Sequence, residues 1–115
     1  VVVERKDVVD TWKNQLTTMN LNDKEIADFV SFWEPRIPNT KYVRISWLTT
    51  GEMQQLAPLY VSGNVQTMIR VFLDMKGYDQ PVAIQPQQLF GIKRTGFTVV
   101  EWGGLVSDGS IPKMQ

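Results

Sequence analysis

The chain has 115 residues, 43% apolar and 21% charged, with twelve basic and twelve acidic side chains and a formal net charge of zero. That length suits a single domain, and the balanced charge excludes the clustered Lys and Arg with which a nucleic-acid-binding domain neutralises phosphates. Cysteine and histidine are both absent, which removes disulfides, thiolate nucleophiles, thiolate or imidazole metal sites, and any Ser–His–Asp or Cys–His mechanism carried within the chain. No apolar run approaches the roughly 20 residues that span a bilayer, and neutrality offers nothing to an anionic membrane surface. A start at Val1 with no signal-peptide pattern ahead of it is expected of a chain that has been processed, trimmed or cut from a longer polypeptide.

The first third has the helical period. Val8, Val9, Trp12, Leu16 and Met19 fall on one stripe, with Asp7 placed as an N-cap or first-turn acid. Asn22 and Glu25 form a capping box, with Leu21 set to staple onto Ile26, and Ile26, Phe29, Val30 and Trp33 repeat as the next apolar stripe until Pro35 ends it. Residues 4–34 are therefore predicted to be an αα-hairpin. From Thr40 the period becomes two: Val43, Ile45 and Trp47 share one strand face, Tyr42, Arg44 and Ser46 the other. Thr49 and Glu52 make a second capping box, opening a short helix near Glu52–Leu56 that Pro58 stops, and a brief strand is expected at Leu59–Val61.

Thr67 to Lys76 alternates again, with Ile69, Val71, Leu73 and Met75 opposed to Met68, Arg70, Phe72 and Asp74. Lys76-Gly77-Tyr78-Asp79-Gln80-Pro81 reads as a turn into Val82–Ile84, so residues 67–84 are expected to be a hairpin. Gln85 to Leu89 reads as an irregular connection. A glycine turn at Thr95-Gly96 leads to a strand at 97–102, closed by Gly103-Gly104. The expected architecture is α+β, one domain over residues 1–106 with 107–115 as a tail or linker. The N-terminal helical hairpin covers one face of a mainly antiparallel sheet of about four to five strands.

Glu101 is the residue that asks for chemistry: a lone acid between Val100 and Trp102 in an apolar strand needs a partner. Arg44 and Arg70 lie on other strands and could meet it, either as an ion pair that fixes register or as an arginine-lined pocket for a carboxylate or phosphate. Paired with Asp74 or Glu52, Glu101 would instead suggest a glycosidase-like hydrolase. Trp12, Trp33 and Trp47 belong to apolar stripes. Trp102, beside two glycines, is the aromatic placed to stack on a sugar or anchor a protein partner. Gly103-Gly104 lacks the lysine, spacing and following helix of a phosphate loop, and neither Asp108-Gly109-Ser110 nor Asn20-Leu21-Asn22-Asp23 matches a calcium loop. No metal or other cofactor is expected. The apolar strands 68–75 and 97–102 could form an exposed edge and pair with another chain by strand addition.

Ala57-Pro58-Leu59, the arginine strand Thr67–Asp74 and the strand Gly96–Gly104 resemble a group of bacterial exported or lipoprotein-type domains of no known activity. Trp33-Glu34-Pro35-Arg36 is similar to the segment that ends the group's two helices. The resemblance spans nearly the whole chain. It departs at Gly63-Asn64-Val65-Gln66, where the group tends to carry Pro-x-Pro-Asp. What it implies is location: exported, in the cell envelope or at the surface. The expected function is a non-catalytic structural or protein-interaction module of such an assembly. The alternatives are a carboxylate-dependent hydrolase centred on Glu101 and a small anion- or sugar-binding domain using Arg44, Arg70 and Trp102.

Overall fold

The two N-terminal stripes form the helices that their spacing predicts. In this computed structural model, which describes residues 1–107, α1 (Val8–Thr18) buries Val8, Trp12 and Leu16, and α2 (Asp23–Trp33) buries Ile26, Phe29 and Trp33. Asn20, at φ 68°, stops α1 in the left-handed conformation. The Leu21 amide then donates to the Leu16 carbonyl and the Asn20 amide to that of Thr17, satisfying groups that the last turn would leave open. α2 begins with the capping box: the Glu25 amide donates to Asn22 Oδ1 at 2.9 Å and the Asn22 amide to Glu25 Oε1 at 2.8 Å. Asp7 stands at the N-terminal boundary of α1 without a side-chain cap bond. A short 3-10 turn, Arg5–Asp7, precedes α1, and another, Glu34–Arg36, carries Pro35 out of α2.

The sheet has four strands in the order β1-β2-β3-β4: β1 (Val2–Glu4), β2 (Tyr42–Leu48), β3 (Thr67–Tyr78) and β4 (Thr98–Ser107). The helical pair packs on one face. There Val43, Ile45 and Trp47 of β2 and Ile69, Val71, Leu73 and Met75 of β3 join the helix stripes in one buried cluster. Phe29 is the hinge of this packing, with its ring 5.5 Å from Trp12, 5.5 Å from Trp47 and 5.4 Å from Trp102. Burying a ring of that size contributes about 1.5–3 kcal/mol. A third helix, α3 (Thr50–Leu56), follows β2 directly, and Glu52 reaches back to the Thr49 amide as its capping box predicts.

Several expectations about the sheet are corrected. β1–β2 and β2–β3 are antiparallel, but β3–β4 is parallel, so the sheet is mixed rather than mainly antiparallel and has four strands. β1 is too short for a period of two to show in sequence. The hairpin over 67–84 does not form: β3 continues to Tyr78, and Val82–Ile84 is not a strand. The reason lies at Gly77, which stands opposite Val43 inside the strand. A Cβ there would lie 2.5 Å from Thr40 Oγ1 and 2.8 Å from Pro38 Cβ, so this glycine admits a crossing loop rather than making a turn. Leu59–Val61 forms no strand and leaves Tyr60 90% exposed. β4 is longer than the predicted 97–102 and takes in Ser107; the rest of the expected tail, 108–115, lies outside the described residues.

Because β3 leaves at its far end, residues 79–97 must return along the molecule before β4 can start, and they do so without a helix. Specific contacts hold this irregular crossover. Leu89 and Ile92 pack against the core, Asn20 Nδ2 donates to the Ile92 carbonyl at 2.7 Å, and Arg94 binds both the Asn20 carbonyl and Glu25. Gln87 lies along the outer edge of β2. Its side-chain amide accepts from the Trp47 amide at 2.7 Å and donates to the Trp47 carbonyl at 2.8 Å, standing in for a neighbouring strand just past Val1.

Candidate functional site

Parity along the strands places the four candidate residues on two faces. Arg70 stands opposite Glu101 in the parallel β3–β4 register, and both point away from the helical pair. Arg44 points to that same side but stands opposite Lys76, farther along β3. Trp102 lies on the helix side, opposite Val71 and against Phe29 and Phe32. The structure thus brings Glu101 and Arg70 together, leaves Arg44 out of their network, and separates Trp102 from all three by the thickness of the sheet.

Arg70 is 4% exposed, and all three of its guanidinium nitrogens donate within the domain. Nε and Nη2 reach Glu101 Oε1 at 3.1 and 2.9 Å, while Nη1 reaches Gln54 Oε1 at 2.7 Å and the Ala57 carbonyl. The same residue's backbone is met by α3: its amide donates to Thr50 Oγ1 at 2.9 Å, continuing the ladder where β2 has ended. Arg70 therefore ties α3, β3 and β4 together, and the Glu101 carboxylate is its counter-charge. Arg44 has a partner of its own, with Nη2 donating to Asp74 Oδ1 at 2.6 Å. Its positive charge, after burial, also helps to lower the pKa of the nearby Val1 amino group.

The two acids that could supply a second carboxylate are likewise engaged, Asp74 by Arg44 and Glu52 by the α3 cap. On this open face lies a depression of about 330 Å³ whose lining includes Ser46, Leu48, Glu52, Phe72, Asp74 and Leu105. Arg70 and Glu101 do not line it. Among the described residues no group of three or more acids is placed to hold a metal ion.

β4 has a different character. It is an edge strand ten residues long, and among the described residues nothing pairs with its outer side. The Phe97 carbonyl accepts from the Gln66 and Thr67 amides, so it points toward β3. Each strand residue turns its N–H and C=O to one side, and that side alternates. Thr98, Val100, Trp102, Gly104 and Val106 consequently offer their backbone groups outward. Beside this edge Phe32 is 44% and Val106 42% exposed, and the Phe32 ring lies 5.7 Å from that of Trp102. Strand period and composition mark β4 as a strand of this kind; Phe32 carried no comparable signal, because its place beside Trp102 depends on how α2 crosses the sheet.

Comparison with protein-family models, with curated proteins and with solved structures finds no match for this chain.

Proposed function

We propose that this domain is a non-catalytic protein-interaction module that docks a partner chain by strand addition along β4. The observation that carries the reading is the outer edge of β4: ten residues, no proline, no lysine, and a single charged side chain that Arg70 neutralises. Natural edges are commonly guarded by short length, Lys, Pro or a covering segment. Here the opposite edge shows such guarding, with β1 three residues long and Gln87 occupying the Trp47 backbone beyond it. An unguarded edge on one side only is an arrangement that selects where a partner strand adds. The setting we propose, a cell-envelope or surface assembly, rests only on the resemblance carried by Ala57–Leu59, Thr67–Asp74, Gly96–Gly104 and Trp33–Arg36.

Proline at an outward-facing position tests this. Val106→Pro removes an outward N–H at a side chain that is 42% exposed, whereas Val99→Pro would remove an N–H directed into β3. The immobilised domain is expected to retain a partner from an envelope extract of its source cells, and Val106→Pro to reduce that retention tenfold or more with the fold intact by circular dichroism. Equal retention by both proteins refutes docking at β4.

A further inference from the structure

The strand-addition reading leaves the partner open, and the following inference rests on it. We infer that β4 pairs antiparallel with β4 of a second copy of this chain, about a two-fold axis at Trp102, joining two four-stranded sheets into one continuous sheet. Antiparallel self-pairing is isologous, so outward residues must meet outward residues and the strand must tolerate being read against its own reverse. Centred on Trp102, Thr98 meets Val106, Val100 meets Gly104 and Trp102 meets its copy, each exchanging backbone hydrogen bonds. On the open face Val99 meets Leu105 and Glu101 meets Gly103, so the one acid of the strand faces no side chain at all.

The neighbouring registers serve less well. Centring on Glu101 sets two carboxylates against each other, a direct like-charge pair. Centring on Gly103 sets Glu101 against the apolar Leu105 and each Trp102 against Gly104, so the acid meets a side chain that cannot pair with it and the two indole rings no longer face each other. The Trp102 register uses residues 98–106 and leaves Ser107 aside. It also gathers the exposed Phe32 and the Trp102 of each copy around the axis, where aromatic rings supply the buried anchor that an interface of hydrogen bonds alone lacks. A formal net charge of zero sets no long-range repulsion between the copies.

Sedimentation equilibrium of the full chain over roughly 1–500 µM, a range spanning ordinary self-association constants, is expected to show the mass rising from 13.2 kDa toward twice that value. Val106→Pro and Val100→Pro should each weaken dimerisation at least tenfold; the former spares the core if the latter perturbs it. Because the chain has no cysteine, register can be read directly. An equimolar mixture of Val99→Cys and Leu105→Cys proteins should form a mixed disulfide dimer in preference to either self-linked product. A chain that stays monomeric throughout, or a dimer indifferent to both prolines, overturns the inference. A mixed dimer no more abundant than the self-linked ones overturns the Trp102 register. A monomeric chain whose retention of another polypeptide still falls with Val106→Pro overturns self-pairing and leaves strand addition standing. A chain that stays monomeric and whose retention of another polypeptide is indifferent to the proline refutes strand addition itself.

Discussion

Arg70 is a buried cation with every guanidinium nitrogen directed at a group of its own domain, and that settles how its partner responds to change. Arg70→Ala strands the Glu101 carboxylate beside an emptied site and should destabilise the fold by about 3–5 kcal/mol. Glu101→Gln should cost less, about 1–2 kcal/mol, because the Glu101 side chain is 33% exposed and water replaces part of what is lost. Replacing both by leucine should cost less than the two single changes added together. Urea unfolding of the four proteins measures all three quantities. The sign matters for function. A carboxylate held for chemistry is commonly an uncompensated group, so neutralising it stabilises the protein; a carboxylate held for register does the reverse. A gain in stability on Glu101→Gln would therefore restore the hydrolase reading.

At the scale of elements, the two glycines that close the signature strand have different work. Gly104 faces the helices, where an added Cβ would lie 2.7 Å from the Leu73 carbonyl oxygen and 3.0 Å from Trp33 Cζ2. Gly103 faces the open side, and its nearest neighbour would be the Phe72 ring at 3.0 Å. A backbone carbonyl cannot step aside as a ring can. Gly104→Ala should thus cost about 1–3 kcal/mol and Gly103→Ala less than 1 kcal/mol, measured by thermal unfolding. Much of this layer was legible in sequence. Alternation assigned Val43, Ile45, Trp47 and the β3 aliphatics to one face, and the capping boxes marked the starts of α2 and α3. The pairing of Arg70 with Glu101 was legible too, as two charges stranded on apolar strands. What stayed illegible was height along a face: parity puts Arg44, Arg70 and Asp74 on one side but does not say that Arg44 meets Asp74. Gly77 misled because a glycine that admits a crossing loop and one that makes a turn are the same letter, and from that one reading followed both the false hairpin and the missed parallel strand.

At the scale of the whole molecule, the parallel pairing of β4 dictates an order of events in folding. β4 reaches its place only after residues 79–97 have closed a loop that sets Glu101 thirty-one positions from Arg70, a separation that folding must close before any contact rewards it. Until then β3 is itself an unpaired edge. Shortened contacts in β4 should leave the folding rate almost unchanged and act on unfolding instead. For Gly104→Ala, stopped-flow refolding is expected to slow less than twofold while unfolding accelerates by roughly the full loss of stability; a folding rate that fell in proportion would place β4 in the nucleus.

The register across the sheet carries a mechanical consequence. Val2 stands opposite Arg44, Arg44 opposite Lys76, and Lys76 opposite Ser107, so the start of β1 and the end of β4 lie level with each other across the sheet. Tension drawn between those edges runs along the inter-strand hydrogen bonds rather than along the strands. A sheet loaded in that direction peels, breaking bonds one after another instead of sharing the force among them, and β1 with its three residues yields first.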